Sequence, residues 1–188
     1  MDTLREVILP ETKPATEWVN GRALQKVSPT RKHSRLQTAF ARALDDWATG
    51  RGEVGTEWRF RLAPAGEPRR PLVPDVAYIS YERLDPLTPE ERETPPHAPD
   101  IVVEILSPRD RQADVDVKRA LYLACGARLV LIVDPEKRRM KAFGRDGYHD
   151  TIGAVDAYAP PSFPDLVFPL RAMFDKLDYG HERAATTR

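Results

Sequence analysis

Apolar and polar positions change their period several times along the chain, and each change predicts an element. Residues 1–16 are mostly polar and contain proline, which predicts an arm rather than a core segment. "TEWVNGRALQKVSP" then alternates around Asn20-Gly21, a pair suited to a tight hairpin turn, so two short strands are expected. Ser28, Pro29 and Thr30 break that pattern. After them Leu36, Phe40, Ala43, Leu44 and Trp47 recur at helical spacing until Gly50. From Gly52 to Pro64, Trp58, Phe60 and Leu62 alternate with Glu57, Arg59 and Arg61, which predicts one half-buried strand.

Two apolar runs follow, "PLVPDVAYIS" and "DIVVEILS", each reading as a buried strand with an acid in it, Asp75 and Glu104. The connection between them, residues 81–99, is acidic and proline-rich. Thr88-Pro89-Glu90-Glu91 within it resembles a capping box. A connection of this length serves either as a lid or as a surface excursion. A second helix is expected over Gln112–Cys125, ended by Gly126, with Ala113, Val117, Ala120, Leu121 and Ala124 as its apolar face. "ARLVLIVDP" reads as a buried strand and "KRRMKAFGRDG" as its hairpin partner. "FPDLVFPLRAMF" closes the fold, and residues 178–188 form a polar tail. Strands around helices give an α/β class with a mixed central sheet flanked by helices, in one domain over residues 17–177.

Composition narrows the classes. The 29 basic and 29 acidic residues cancel, which excludes a globally basic nucleic-acid-coating protein but not a local basic patch. Cys125 is the one cysteine, so no intrachain disulfide can form, and with no apolar run long enough to span a bilayer a cytoplasmic protein without a membrane partner is expected.

The acids carry the chemistry. A carboxylate among Val and Ile is costly to bury unless it is paired or binds something. If the two acid-bearing strands are neighbours, Asp75 and Glu104 can converge, and two converging carboxylates repel unless one is protonated or a cation joins them. Oxygen donors of this kind suit Mg²⁺ or Mn²⁺, which can polarise a phosphoryl oxygen and lower the pKa of an attacking water.

Along "EWVNGRALQKVSPTRKHSRLQ", "VPDVAYIS", "PDIVVEILSPRDR", "KRALYLACGARLVLIVDP" and "FPDLVF", the chain resembles the Uma-type family of restriction-endonuclease-like proteins, within the PD-(D/E)XK nuclease superfamily. The resemblance implies a restriction-endonuclease-like core and a Mg²⁺-dependent endonuclease, with Mn²⁺ as substitute. It implies double-stranded DNA as substrate and, for cutting both strands, a homodimer. Asp75 and Glu104 match the family's metal-binding acids, and the carbonyl of Ile105 is the expected further ligand. Leu106 departs from the superfamily pattern, which has lysine there. Lys118, in the following helix, occupies the position to which that role moves. The resemblance also expects an acid near the first helix, where "GRALQKVSP" has Gln25 and Lys26; Glu57 is the candidate substitute. His33 matches a recurrent histidine.

Each residue also has a plain structural reading. Glu104 could be one half of a buried ion pair with Lys118 or an arginine. Asp75 could be a turn residue after Pro74, Lys118 a surface partner of Asp114 at i−4, His33 a helix-entry residue, and Tyr122 a packing residue. Asp100 shares the strand parity of Glu104 but lies about 13 Å away along a strand, so it reads as a strand-start residue. The basic clusters Arg31-Lys32-Arg35, Arg109-Arg111-Lys118-Arg119 and Lys137-Arg138-Arg139-Lys141 could meet DNA phosphates or simply be solvated. The other possible class is a nuclease-fold protein of weak or lost activity, acting as a binding or regulatory oligomer.

Overall fold

The computed structural model describes residues 6–180. It begins with Glu6 bridged to Arg69, and the Val7 N–H donates to the Arg69 carbonyl at 2.8 Å, so this part of the arm lies against the body. Strands β1 (Thr16–Val19) and β2 (Arg22–Gln25) form the expected hairpin, with positive φ at both Asn20 and Gly21. Helix α1 (Arg31–Ala48) follows, capped by the Thr30 hydroxyl, and buries Leu36, Phe40 and Leu44 completely. The Phe40 ring packs 5.3 Å from that of Phe168, and truncating such a side chain costs about 3–5 kcal/mol.

The next stretch corrects the sequence reading. Residues 52–64 form not one strand but two, β3 (Gly52–Thr56) and β4 (Phe60–Leu62), in different sheets. Glu57 takes a positive φ of 53°, and this turns the chain off one sheet and onto the other. The alternation itself holds in β4, where Phe60 and Leu62 are buried and Arg61 is not. β5 (Arg70–Leu72) pairs with β4, and after the Val73-Pro74-Asp75 break β6 (Val76–Ser80) enters the main sheet. Asp75 therefore stands just before a strand, not inside one.

Helices α2 (Tyr81–Leu84) and α3 (Pro89–Glu93) occupy the long connection, and Thr88 and Glu91 make the full capping box. The Trp58 indole donates to the Glu93 carbonyl and the Arg61 N–H to the Pro95 carbonyl, so the connection is tied to β4 as a surface excursion. Then come β7 (Ile101–Ile105), α4 (Gln112–Ala124), β8 (Leu129–Asp134), β9 (Arg139–Gly144), β10 (His149–Ile152) and α5 (Leu170–Asp175). The main sheet has six strands in the order β10-β9-β8-β7-β6-β3. β7 and β8 run parallel, joined through α4, and the other pairs are antiparallel, so the sheet is mixed as expected.

One face of the sheet packs on α1 and α5. The other packs on α4 and the two small hairpins. Strand residues at i and i+2 share a face, so Ile101, Val103 and Ile105 meet the first layer and Val102 and Glu104 the second. Helix α4 brings a second correction. Its alanines at 113, 120 and 124 are exposed, and the buried side is Asp114, Lys118, Leu121 and Tyr122. The helix turns a polar stripe inward because the sheet presents carboxylates to it. Among the described residues no helix is long and apolar enough to cross a membrane.

Candidate active site

The pairing of β6 with β7 sets the geometry. Val76 lies opposite Val103 and Ala77 opposite Val102, so one step further the same register sets Asp75 opposite Glu104. The ladder ends there, and the Asp75 side chain takes over the next hydrogen bond: the Ile105 N–H donates to Asp75 Oδ2 at 2.6 Å. The N–H and C=O of one strand residue point to the same side, so the Ile105 carbonyl also faces this edge.

The two acids come together, but each is held by its own cations. Lys26 Nζ donates to Asp75 Oδ1 at 2.6 Å, to the Val73 carbonyl at 2.9 Å and to Glu57 at 3.2 Å. His33 Nε2 lies 3.2 Å from Asp75 Oδ2. Burial alone would raise the Asp75 pKa. The Lys26 charge and the His33 hydrogen bond outweigh it and hold the carboxyl well below its usual range. For Lys26 and His33 burial works toward the neutral form, yet Asp75 wins and both are shifted up.

On the far side, Lys118 Nζ lies 2.7 Å from the Glu104 carboxylate and 3.0 Å from Glu17 Oε2, while the Tyr122 hydroxyl donates to Glu104 Oε1 at 2.9 Å. Here burial is the largest influence on Glu104. Lys118 offsets part of it, Asp75 and Glu17 add to it, and the carboxyl is raised to about 7. Burial would also neutralise Lys118, but Glu104 and Glu17 keep it charged, above its ordinary range.

Two of the structural readings are seen: Glu104 is paired with buried Lys118, and Asp75 sits in a bend after Pro74, just before β6. Lys118 is no surface partner of Asp114, which is buried and takes Arg22 at 2.6 Å instead. Tyr122 is fully buried and joins the cluster through its hydroxyl on Glu104. Asp100 closes the opposite end of the β6–β7 pair, accepting from the Ser80 N–H at 2.8 Å and from Arg83 at 3.2 Å. Glu57 reaches the cluster through Lys26 and Gln37, but is itself largely exposed.

Glu17 and Lys26 were missed as site residues. Glu17 is 2 % exposed, and its other oxygen accepts from the Val73 N–H at 2.7 Å. Its signal was the same as that of Glu104, an acid inside an apolar strand, but β1 is short and "TEWV" reads as an ordinary amphipathic edge. Lys26 lies just past β2, and no local pattern shows where its long side chain reaches.

The cluster floors a cavity of about 130 Å³ lined by Lys26, His33, Asp75, Glu104 and Lys118, with Arg109 and Arg111 also along its wall. A wider cleft of about 850 Å³ shares Lys26, His33 and Asp75 and continues past Glu57 and Arg59. Among the described residues no group of three or more His, Cys, Asp or Glu converges as a ready cage for a metal. Two facing carboxylates and a carbonyl are nevertheless the donor set of a hard divalent ion that keeps several waters and takes the rest of its shell from a phosphate.

Comparison with known proteins identifies the family and the fold. Residues 4–171 match the Uma2 family, described as "Putative restriction endonuclease". A solved structure of a "putative nuclease belonging to DUF820" from Anabaena variabilis ATCC 29413 is similar, with a TM-score of 0.78 and 26 % identity over 90 % of this chain and 95 % of that one. No protein in the curated set matches.

Proposed function

Because this chain belongs to the Uma2 restriction-endonuclease family and has a nuclease-like fold, we propose that it is a divalent-metal-dependent endonuclease acting on double-stranded DNA. The observation that carries the reading is the facing pair Asp75 and Glu104 on the cavity floor, with Lys118 against Glu104. Asp75, Glu104 and the Ile105 carbonyl would hold Mg²⁺, with Mn²⁺ as substitute. When bound, the ion supplies Lewis-acid polarisation of the phosphate and a more acidic water.

The reaction is a hydrolysis: a water oxygen bonds to phosphorus, one P–O ester bond breaks, and the leaving oxygen takes up a proton. The protein's own groups prepare that exchange. Lys26 and His33 keep Asp75 ionised and fixed in direction. Tyr122 and Lys118 fix the direction of Glu104, and the Lys118 ammonium would offset charge that develops on the phosphate. It takes the part that the superfamily gives to a lysine at the position of Leu106. Arg109 and Arg111 on the cavity wall would receive neighbouring phosphates. Two copies acting on opposite strands would give double-strand cleavage, and a sedimentation profile showing monomer alone on DNA would remove that element.

A second reading has its own observation. Lys26 occupies one oxygen of Asp75 at 2.6 Å, so the acid is already neutralised from within. A protein that binds nucleic acid without cutting it would be built this way. The test is a Mn²⁺ titration of wild type, Asp75→Asn and Glu104→Gln, with plasmid nicking assayed in the same tubes and folding checked by circular dichroism. Binding and nicking that vanish in both folded variants establish the metal nuclease. DNA binding without nicking in wild type selects the second reading, and wild type that takes up no metal overturns the first.

A further inference from the structure

One charged surface has no part in that chemistry. β9 sends Met140 and Ala142 into the layer under α1 and α5, so Arg139, Lys141 and Phe143 stand on the opposite face, beside α4. β10 pairs His149 with Phe143 and Thr151 with Lys141, and cross-strand partners share a face. The shoulder made by these two strands therefore carries no acid, since Asp150 lies opposite Ala142 and faces the other way.

The charges around it are already paired. Lys137 meets Asp134 at 3.7 Å, Lys32 holds Glu136, and Arg138 bonds Asp178. Among the described residues, the Arg139 and Lys141 side chains have no ion-pair or hydrogen-bond partner. They border a groove of about 80 Å³ between α4 and β9, lined also by Ile132 and by Asp116 and Asp134, acids already paired with Arg119 and Lys137. That groove shares Leu106 and Val115 with the cavity holding Asp75, Glu104 and Lys118.

We propose that this shoulder carries the phosphate backbone of duplex DNA as it leaves the catalytic cavity, an inference that rests on the nuclease reading. Two unpaired cations about 7 Å apart along a strand offer a row of phosphate contacts. In a chain of zero net charge, attraction to DNA has to come from such a local row. A single strand fits less well. Single-strand sites stack bases on open aromatic rings, and here the Phe143 ring is covered by the Arg119 guanidinium at 4.4 Å.

The test is fluorescence anisotropy of a labelled duplex oligonucleotide at several salt concentrations, with Ca²⁺ in place of Mg²⁺, beside plasmid nicking in Mg²⁺. The Arg139→Gln/Lys141→Gln variant is expected to bind several-fold more weakly at low salt. It should also flatten the plot of log affinity against log salt by about 1.8, since each phosphate contact contributes about 0.9. Arg42→Gln/Arg171→Gln, which loses the same charge from the α1–α5 layer, should keep the wild-type slope. An unchanged slope in the shoulder variant, with wild type still nicking, overturns this inference and leaves the nuclease standing. An effect confined to a single-stranded oligonucleotide overturns the duplex assignment. Loss of slope in a protein whose wild type never cuts keeps the shoulder and removes the nuclease, and a wild type that neither binds nor cuts removes both.

Discussion

Lys26 is the residue on which the state of the site turns. Among the described residues it is the one ammonium within hydrogen-bonding distance of Asp75, and it also satisfies a backbone carbonyl. Removing one partner of a buried ion pair costs about 3–5 kcal/mol, because the other charge stays buried. Lys26→Met is therefore expected to lower the unfolding free energy from urea titration by an amount near the low end of that range, since His33 remains on Asp75. Two carboxyls here also give opposite pH dependences. Asp75 is held below its unfolded value, so its contribution is complete above about pH 4 and fades as pH falls further. Glu104 is raised to about 7, so the fold favours its protonated form. Its contribution shrinks as pH rises from about 4.5 to 7. In chelator, the melting temperature of wild type minus that of Glu104→Gln should fall across that window. A flat difference would mean that Lys118 keeps Glu104 ionised throughout.

At the scale of elements, α4 shows what periodicity can and cannot say. The sequence marked Ala113, Val117, Ala120, Leu121 and Ala124 as the buried face, yet the helix docks through Asp114, Lys118, Leu121 and Tyr122. The length and end of the helix were legible, because Gly126 stops it and takes a positive φ. Its rotation was not, because small alanines bury little area and the three hydrogen-bonded contacts to Glu104 and Glu17 outweigh them. Lys118→Met should then cost about 3–5 kcal/mol in denaturant unfolding, by leaving buried Glu17 and Glu104 without their cation. Adding Glu104→Gln should recover part of that loss, a coupling that a double-mutant cycle reads directly. Additive losses would show that the helix is held by its apolar contacts after all. The strand over residues 52–64 teaches the same lesson: alternation identified β4 but could not see the turn at Glu57 that splits it from β3.

For the whole molecule, charge is balanced, and many of the described charged groups are paired. Exposed pairs such as Lys32–Glu136 contribute about 0–1 kcal/mol each and are screened by salt. Raising ionic strength is therefore expected to leave the melting temperature within a few degrees while DNA binding falls steeply, as calorimetry beside anisotropy would show. A large drop in melting temperature would mean that surface pairs, not the two apolar layers, hold the fold.

The hairpin at Asn20-Gly21, the first helix, the mixed sheet and the two acids within apolar runs were all legible from local chemistry: turn residues, period and the cost of burying a carboxylate. The family resemblance rested on longer strings, such as "VEILSP" in and after β7 and "LIVDP" in and after β8. The partners of the acids were decided only by packing. Asp75 meets Glu104 through the register of β6 against β7, and Lys26, His33 and Glu17 reach them from elements far away in the chain. Long flexible side chains carry no periodic signal, and which carboxylate each one finds depends on how the layers close around it.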